Sequence, residues 1–188
     1  RAPYITIAGQ TAPGDGVCVA GESVWINTHD VIIRHMRFRR GETWVGRRDD
    51  AIGGNPIGNI IIDHVSATWG LDENMSMYRH MYNDSTGKIE DKFGTVNITI
   101  QNSIIGQGMH RHNHSAGGLM QPPAGGKISL IGNLYICNKT RNNKIKGINE
   151  FVCGDVTDLI MGNEEGILGM LEWVCEEDAE LVEHLDHP

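Results

Sequence analysis

Five short apolar stretches recur along the chain, and each ends at a glycine or a polar residue. They end at Gly9, His35, His64, Asn102 and Asn133, which lie roughly 26 to 38 residues apart. A repeat of this length, built on short strands without long helices between them, predicts a solenoid whose units stack on one another. We expect the strands to run in the same direction as a parallel β-helix. In such a fold, side chains on one face of successive coils line up along a groove.

The residues that end these stretches predict tight bends between strands. His35, His64 and Asn102 occupy equivalent positions in successive units. Asparagine tolerates a left-handed backbone and bonds to nearby main chain, so we expect a ladder of polar side chains at this corner. Asp63, which precedes His64, is assigned to the same bend in a structural rather than a catalytic role, and its carboxylate is expected to bond main chain.

The length and the charge distribution divide the chain near residue 150. A chain of 188 residues can bury a core and is normally one domain. We assign residues 1–150 to the β-helix and 151–188 to an acidic C-terminal segment. The first 146 residues have a formal balance of +4 and the rest has −12, which makes the overall −8. The repeat region is therefore mildly basic and suits a polyanionic partner.

The acidic C-terminal segment shows helical spacing of its apolar residues. They are Ile167, Leu168, Leu171, Val174, Cys175, Leu181, Val182 and Leu185. An amphipathic helix here would cover one open end of the solenoid. The alternative is that this tail is not the natural continuation of the repeat, and the sequence leaves both open.

The composition of the chain restricts the classes of molecule that it is expected to bind. No basic stripe interleaved with aromatic residues is present, which argues against nucleic acid. The chain has no membrane span, no secretory signal and no initiating methionine, so we expect a fragment with no membrane partner. The four cysteines, Cys18, Cys137, Cys153 and Cys175, lack metal-ligand spacing and are expected to be buried thiols.

Several ordered motifs resemble the pectate lyases of polysaccharide lyase family one. The most specific runs from Asn59 to Ser76 and contains a strand ending in Asp63-His64, a bend with Trp69, and the acidic pair Asp72-Glu73. The opening 4–14 and the stretch 133–142 are similar to the same family. The resemblance covers roughly residues 4 to 150, and it implies a right-handed parallel β-helix of the pectin-lyase type.

This resemblance implies a secreted or periplasmic, monomeric enzyme that cleaves polygalacturonate by calcium-dependent β-elimination. Asp50 and Asp72 match calcium ligands of the family, and Glu73 is an adjacent helper. Carboxylate oxygens suit a hard cation, which would bridge the enzyme and the acidic polysaccharide. As a Lewis acid, bound calcium would acidify the proton at C5 of the uronate.

Arg141 is the expected catalytic residue. It matches the first arginine of the family's Arg-x-Pro-x-x-Arg motif, which the resemblance assigns to proton abstraction at C5. That role is demanding, because a guanidinium group is ordinarily always protonated. Lys146 replaces the second arginine, and Lys144 and Lys146 are expected to bind substrate carboxylates as point charges.

Three alternating histidines form a competing candidate site. His110, His112 and His114 would share one face of a strand and could bind zinc. No nearby cysteine or acid completes a ligand set, so His112 and His114 are assigned instead to a loop that contacts acidic sugar.

Three departures from the family pattern weaken the case for enzymatic activity, and two of them, Ser76 and Ala116, favour an alternative function. Ser76 stands where a second acid is frequent, Ala116 lies near a usual substrate-binding lysine, and Asn143 replaces the motif proline, which is expected to loosen the turn that carries Arg141. The alternative is a non-catalytic β-helix that binds acidic polysaccharide without cleaving it. Arg141 favours the enzyme.

Overall fold

A computed structural model describes residues 2–43, 47–55, 58–78, 96–110, 114–121, 127–145 and 157–161 of the chain. These residues form parallel strands that stack coil upon coil, with a single 3-10 turn at Gly9–Thr11 as the described helical element. The predicted parallel β-helix is confirmed. Among the described residues, no helix is long and apolar enough to cross a membrane.

The strands build three faces. The first face contains β1 (Ile5–Ala8), β4 (His29–Arg34), β7 (Gly58–Asp63), β10 (Val96–Gln101) and the start of β13 (Ile128–Ile136). The second face contains β2 (Val17–Ala20), β5 (Met36–Arg39), β8 (Ser66–Thr68), β11 (Ile104–Gly106) and the end of β13. The third face, called the third sheet below, contains β3 (Val24–Trp25), β6 (Ile52–Gly54), β9 (Glu73–Met77), β12 (Ala116–Met120) and β14 (Lys144–Ile145).

The core consists of aligned apolar rows inside the coils. In the first face, Ile33 pairs with Ile62, Ile62 with Ile100 and Ile100 with Leu130, and all four side chains are buried. Alternate residues of a strand point to opposite faces, so the strand register stacks like residues on like. Burying an aliphatic side chain of this size contributes roughly 1.5–3 kcal/mol, which makes these rows the main source of stability.

The corner between the first and second faces follows the predicted ladder, with one correction. His35, His64 and Asn102 have φ values of 53°, 52° and 50°, and the two imidazole rings stack with centroids 4.7 Å apart. In the next coil, Gly132 with φ 63° takes this corner, so the expected position of Asn133 is wrong by one residue. Glycine adopts this left-handed backbone without strain.

Asn133 turns inward, directly after the corner. Its Oδ1 accepts a hydrogen bond of 3.1 Å from the Ser103 amide, and its Nδ2 donates to the Ile100 carbonyl at 2.9 Å. The side chain is buried, and its amide group supplies the hydrogen-bond partners that the main chain loses at the bend.

The expected burial of the cysteine thiols is wrong for Cys18 and Cys137. Both are exposed and free. Cys18 lies at an outward position of β2 between the partly buried Val17 and Val19, and Cys137 follows β13 at φ 54°. Cys18 is exposed because alternate residues of a strand point outward, and Cys137 is exposed because it lies at a corner. The apolar character of the thiol does not decide either case. Cys153 and Cys175 lie outside the described residues.

A further strand follows residue 150. β15 (Thr157–Met161) pairs in parallel with β13 and continues its ladder after a register shift. The predicted amphipathic helix at 167–185 lies outside the described residues, and the division of the chain at residue 150 stays a prediction.

Asp63 connects three coils through its buried carboxylate. Oδ2 accepts from Arg34 Nε at 2.8 Å, while Oδ1 contacts His64 Nδ1 at 2.7 Å and accepts from Gln101 Nε2 and Asn102 Nδ2 at 3.1 and 3.3 Å. Burial by itself raises the pKa of Asp63, but these hydrogen bonds outweigh it and lower the pKa to about 2. The partners are side chains, whereas the sequence predicted main chain.

We expect Asp63→Asn to destabilise the protein by about 2 kcal/mol at pH 7. Because the pKa of Asp63 is depressed in the folded state, its stabilisation is present above the unfolded pKa of about 4 and is lost as pH falls toward 2. Urea denaturation at pH 7 and pH 3 should therefore show a smaller difference between variant and parent at pH 3. Asp15→Asn, at an exposed position, is the control. If the variant and the parent differed equally in unfolding free energy at pH 7 and pH 3, the ionised Asp63 carboxylate would not be the source of the stabilisation.

Candidate metal and active site

Three acidic side chains meet at the outer edge of the third sheet. Asp50 lies two residues before β6. In the next coil, Asp72 directly precedes β9 and Glu73 is its first residue. The Ala51 amide donates to the Glu73 carbonyl at 3.2 Å, and the Glu73 amide donates to Asp50 Oδ1 at 3.0 Å. One ligand oxygen from each of Asp50, Asp72 and Glu73 lies within 4.8 Å of the others. We call these three residues the carboxylate cluster.

Glycine leaves the space that Asp50 occupies. A Cβ atom added to Gly53 would lie 2.9 Å from Asp50 Oδ2 and 2.5 Å from the Ser76 carbonyl oxygen. The Asp50 carboxylate therefore lies over the outer surface of the third sheet, where a side chain at position 53 would displace it.

Tyr78 connects two members of the carboxylate cluster. Its hydroxyl lies 3.0 Å from Asp50 Oδ2 and 3.1 Å from Glu73 Oε2. Burial, followed by the negative charge of Asp50, raises the pKa of Tyr78, so the hydroxyl stays protonated and can donate. Tyr78 could not be identified from the sequence, because a lone tyrosine after a strand carries no pattern that points to a site.

The protonation of Asp50 reflects its surroundings. Burial raises its pKa, the charges of Asp72 and Asp49 raise it further, and hydrogen bonds from Tyr78 and Ser76 act in the opposite direction; the result is a pKa of about 8. Three carboxylates at this distance repel one another, and a nearby positive charge favours their ionised forms.

Basic side chains surround the carboxylate cluster. Arg141 Nη1 forms an ion pair with Glu73 Oε1. Arg48 Nε lies 3.1 Å from Asp72 Oδ2, and His114 Nδ1 contacts Asp72 Oδ1. The structure therefore brings Arg141 and His114, two residues singled out from the sequence, next to two of the expected metal ligands.

The donor set of the carboxylate cluster fits a hard divalent cation. All three groups offer carboxylate oxygens, the ligand type that calcium takes in proteins. Asp72 Oδ1 is buried, and its contact with His114 lacks hydrogen-bond geometry, so no donor among the described residues satisfies it. Burial, followed by the charges of Asp72 and Asp49, raises the pKa of Asp50, and a cation held by the three carboxylates would favour its ionised form.

A buried arginine anchors the loop that carries Asp50. Arg40 is fully buried; its Nε pairs with Asp49, and its Nη1 donates to the carbonyls of Gly21 and Gly41 at 3.0 and 3.1 Å. The Asp49 carbonyl in turn accepts from the amide of Asp72 at 3.2 Å. Arg40 thus holds the backbone from which two members of the carboxylate cluster project, a role that the sequence analysis did not detect.

A buried amide network holds the Arg141 turn. Asn138 Nδ2 donates to Asn142 Oδ1 at 3.0 Å, and Asn74 Nδ2 donates to Asn138 Oδ1 at 2.8 Å. Asn143 is buried with φ 71°, a conformation that proline cannot adopt because its ring sets φ near −65°. The turn therefore has its own geometry rather than a loosened version of a proline turn.

The remaining predicted residues are distributed around the carboxylate cluster. Lys144 is exposed on β14. Ser76 is buried, and its Oγ accepts from the Leu119 amide at 3.0 Å, while the buried Ala116 pairs with Glu73 in the strand register. His112 and Lys146 lie outside the described residues, so their roles stay predictions, as does zinc binding by the three histidines.

The fold and the site together define a parallel β-helix that carries a carboxylate cluster on one of its sheets. Proteins named probable pectate lyase C are 47% identical to it in Aspergillus flavus, 46% in Aspergillus fumigatus and 45% in Emericella nidulans, each over 148 residues. These alignments cover 78% of the chain and 31% of each relative, so the chain spans about a third of their length. No family model matches the chain. The resemblance to pectate lyases is confirmed, and the chain is homologous to these proteins over the aligned residues.

Arg40→Met should lower the free energy of unfolding by about 3–5 kcal/mol, because it leaves the partly buried Asp49 carboxylate without its ion-pair partner. Urea denaturation measures the change. Arg47→Met is the matched control, since the Arg47–Glu22 pair is exposed and 3.4 Å long, and its loss should cost less than about 1 kcal/mol. Equal losses in the two variants would show that Arg40 does not anchor the loop.

Proposed function

We propose that the chain forms the β-helix of a calcium-dependent pectate lyase that cleaves polygalacturonate by β-elimination. The observation that carries this proposal is the contact of Arg141, the expected base, with a cluster of three carboxylates on one outer surface of the solenoid. The homologues named probable pectate lyase C support the substrate class. By the same resemblance, we propose that the protein is secreted or periplasmic and monomeric.

Asp50, Asp72 and Glu73 are the residues that would hold calcium. Bound calcium would supply positive charge next to the uronate carboxylate and would thereby acidify the C5 proton. The protein contributes the placement of the carboxylates. The Arg40 anchor and the Tyr78 hydroxyl hold these carboxylates close together. Carboxylates at this distance repel one another when ionised, and a cation would relieve that repulsion.

In the proposed reaction, Arg141 removes the proton from C5 of a galacturonate residue. The electrons of the C5–H bond form a double bond between C4 and C5, the C4–O bond breaks, and the departing oxygen takes up a proton. Arg141 would have to release Glu73 and lose a proton before it accepts one. Positive charge held by the three carboxylates is therefore a precondition for the reaction, because it would compete with Arg141 for Glu73 and favour the neutral form of the guanidinium group. We assign Lys144, Lys146, His112 and His114 to binding the uronate carboxylates and hydroxyls.

A non-catalytic protein that binds acidic polysaccharide is the second candidate. Its support is that two buried residues of the third sheet, Ser76 and Ala116, stand at or near positions where a further acid and a substrate-binding lysine are frequent in the family. An assay of polygalacturonate with and without calcium, following the ultraviolet absorbance of the unsaturated product, separates the candidates. Binding without product formation would favour this second function.

We expect a chelator to abolish lyase activity and added calcium to restore it. Asp72→Asn should raise the calcium concentration needed for half-maximal activity by at least about tenfold, because it removes a charged oxygen ligand. Calcium binding by isothermal titration calorimetry checks the same change without turnover. Asp15→Asn, an exposed acid outside the carboxylate cluster, should leave both unchanged. Unaltered calcium affinity in Asp72→Asn would remove this residue from the ligand set.

Arg141→Lys should lower kcat by about 10²- to 10⁴-fold, the usual contribution of general-base catalysis, while polygalacturonate binding stays within a few-fold. Lysine keeps the positive charge but changes the position of the nitrogen. Lys144→Ala should instead raise KM with little change in kcat, since it removes a contact present in the ground state. Initial rates over a substrate series separate the two effects. Full turnover in Arg141→Lys would overturn the assignment of the base.

A further inference from the structure

One row of residues crosses the outer surface of the third sheet. The strand register pairs Trp25 with Gly53, Gly53 with Ser76, Ser76 with Leu119, and Leu119 with Lys144. Paired residues on neighbouring parallel strands point to the same face, and neighbouring strands lie about 4.8 Å apart. The row therefore extends about 19 Å along the solenoid axis, past the position of the carboxylate cluster.

Trp25 is a large aromatic side chain at one end of this row. It is 48% exposed, while the flanking Ile26 is buried and Val24 packs against the core. Within the described part of the chain, no aromatic ring or guanidinium group stacks on the Trp25 indole. By contrast, Trp69 is stacked by Arg39, 5.9 Å from the ring centroid, and donates its indole N–H to Gln107 at 3.1 Å.

The residue between Trp25 and the next coil in this row has no side chain. Gly53 pairs with Trp25, and Asp50 Oδ2 lies 2.9 Å from the point where a Gly53 Cβ would lie. The buried Asp50 carboxylate thus covers Gly53, and the exposed Trp25 indole lies one strand away from it. A polymer bound across the carboxylate cluster along the solenoid axis would meet Trp25 on one side and Lys144 on the other.

We propose that Trp25 is a binding platform for a sugar ring of the polysaccharide, on the side of the carboxylate cluster opposite Lys144. This inference rests on the proposed function. A pyranose ring has an apolar face of C–H groups, which packs against the electron-rich face of an aromatic ring. The contact needs no charge on the protein, so it adds affinity beside three carboxylates without adding to their repulsion.

The test compares a long and a short ligand. In an Arg141→Lys background, which slows turnover, isothermal titration calorimetry with calcium present gives the affinity for hexagalacturonate and for the galacturonate monomer. Trp25→Ala should weaken hexagalacturonate binding by about 3- to 10-fold, in line with the usual contribution of one aromatic contact. A galacturonate monomer bound at the carboxylate cluster spans only about one strand spacing of about 4.8 Å and does not depend on Trp25, so its affinity should not change.

Two further variants keep the result specific to the indole face. Trp25→Phe retains a ring and should recover most of the hexagalacturonate affinity, which a general effect on folding would not explain. Tyr4→Ala removes an aromatic side chain that is 79% exposed on the first face, and it should leave both affinities unchanged.

The outcomes separate this inference from the function beneath it. Unchanged hexagalacturonate binding in Trp25→Ala, or an equal loss for hexagalacturonate and the monomer, would overturn the platform while leaving the proposed function intact. If the parent binds neither ligand, the proposed function fails and the platform fails with it.

Discussion

The register between successive coils is the constraint on which the rest of the structure depends. Each strand pairs in parallel with its counterpart in the next coil, so every residue position is repeated as a row along the solenoid. Inside, this repetition stacks branched aliphatic side chains such as Ile33, Ile62 and Ile100. A shift of one residue would move the whole buried set to the outside, which is why the corners must hold the register.

The corners hold the register through left-handed residues and their hydrogen bonds. Asp30, Asn59 and Asn97 form a second ladder, in which Asn59 Nδ2 donates to Asp30 at 3.1 Å and Asn97 Nδ2 donates to Asn59 at 3.0 Å. The same rule of repetition that stacks apolar side chains inside therefore stacks amides and imidazoles at the bends. On the third sheet it brings acids from two coils into one place.

The carboxylate cluster is an electrostatic compromise between the fold and the proposed chemistry. Asp50 and Glu73 are buried, which disfavours their charged forms; Arg48 pairs with Asp72 and Arg141 with Glu73, whereas burial raises the pKa of Asp50 to about 8. A surface designed only for stability would avoid three acids within 4.8 Å of one another. A bound cation would favour the ionised form of Asp50, and this response to positive charge is the physical feature that connects the site with binding a cation and, through it, an anionic polymer.

Sequence reasoning detected those features whose signal lies in a local pattern. The repeating apolar stretches predicted the parallel β-helix, and the acids Asp50, Asp72 and Glu73 were selected because they match ordered family motifs. Reasoning of this kind failed where one residue decides the geometry. Gly132 rather than Asn133 takes the corner in its coil, and Cys18 faces outward although its thiol is apolar.

The amino-acid order thus determined the strand repeat, the polar corners and the identity of the acidic candidates, because each depends on residues close together in the chain. Only the tertiary structure decided which distant side chains meet. The Arg141–Glu73 pair joins residues 68 positions apart, the Arg48–Asp72 pair crosses coils, and Trp25 reaches the row of Lys144 through four successive strand pairings. These contacts depend on the length of each coil and on the register that stacking imposes, and neither quantity is encoded in a short motif.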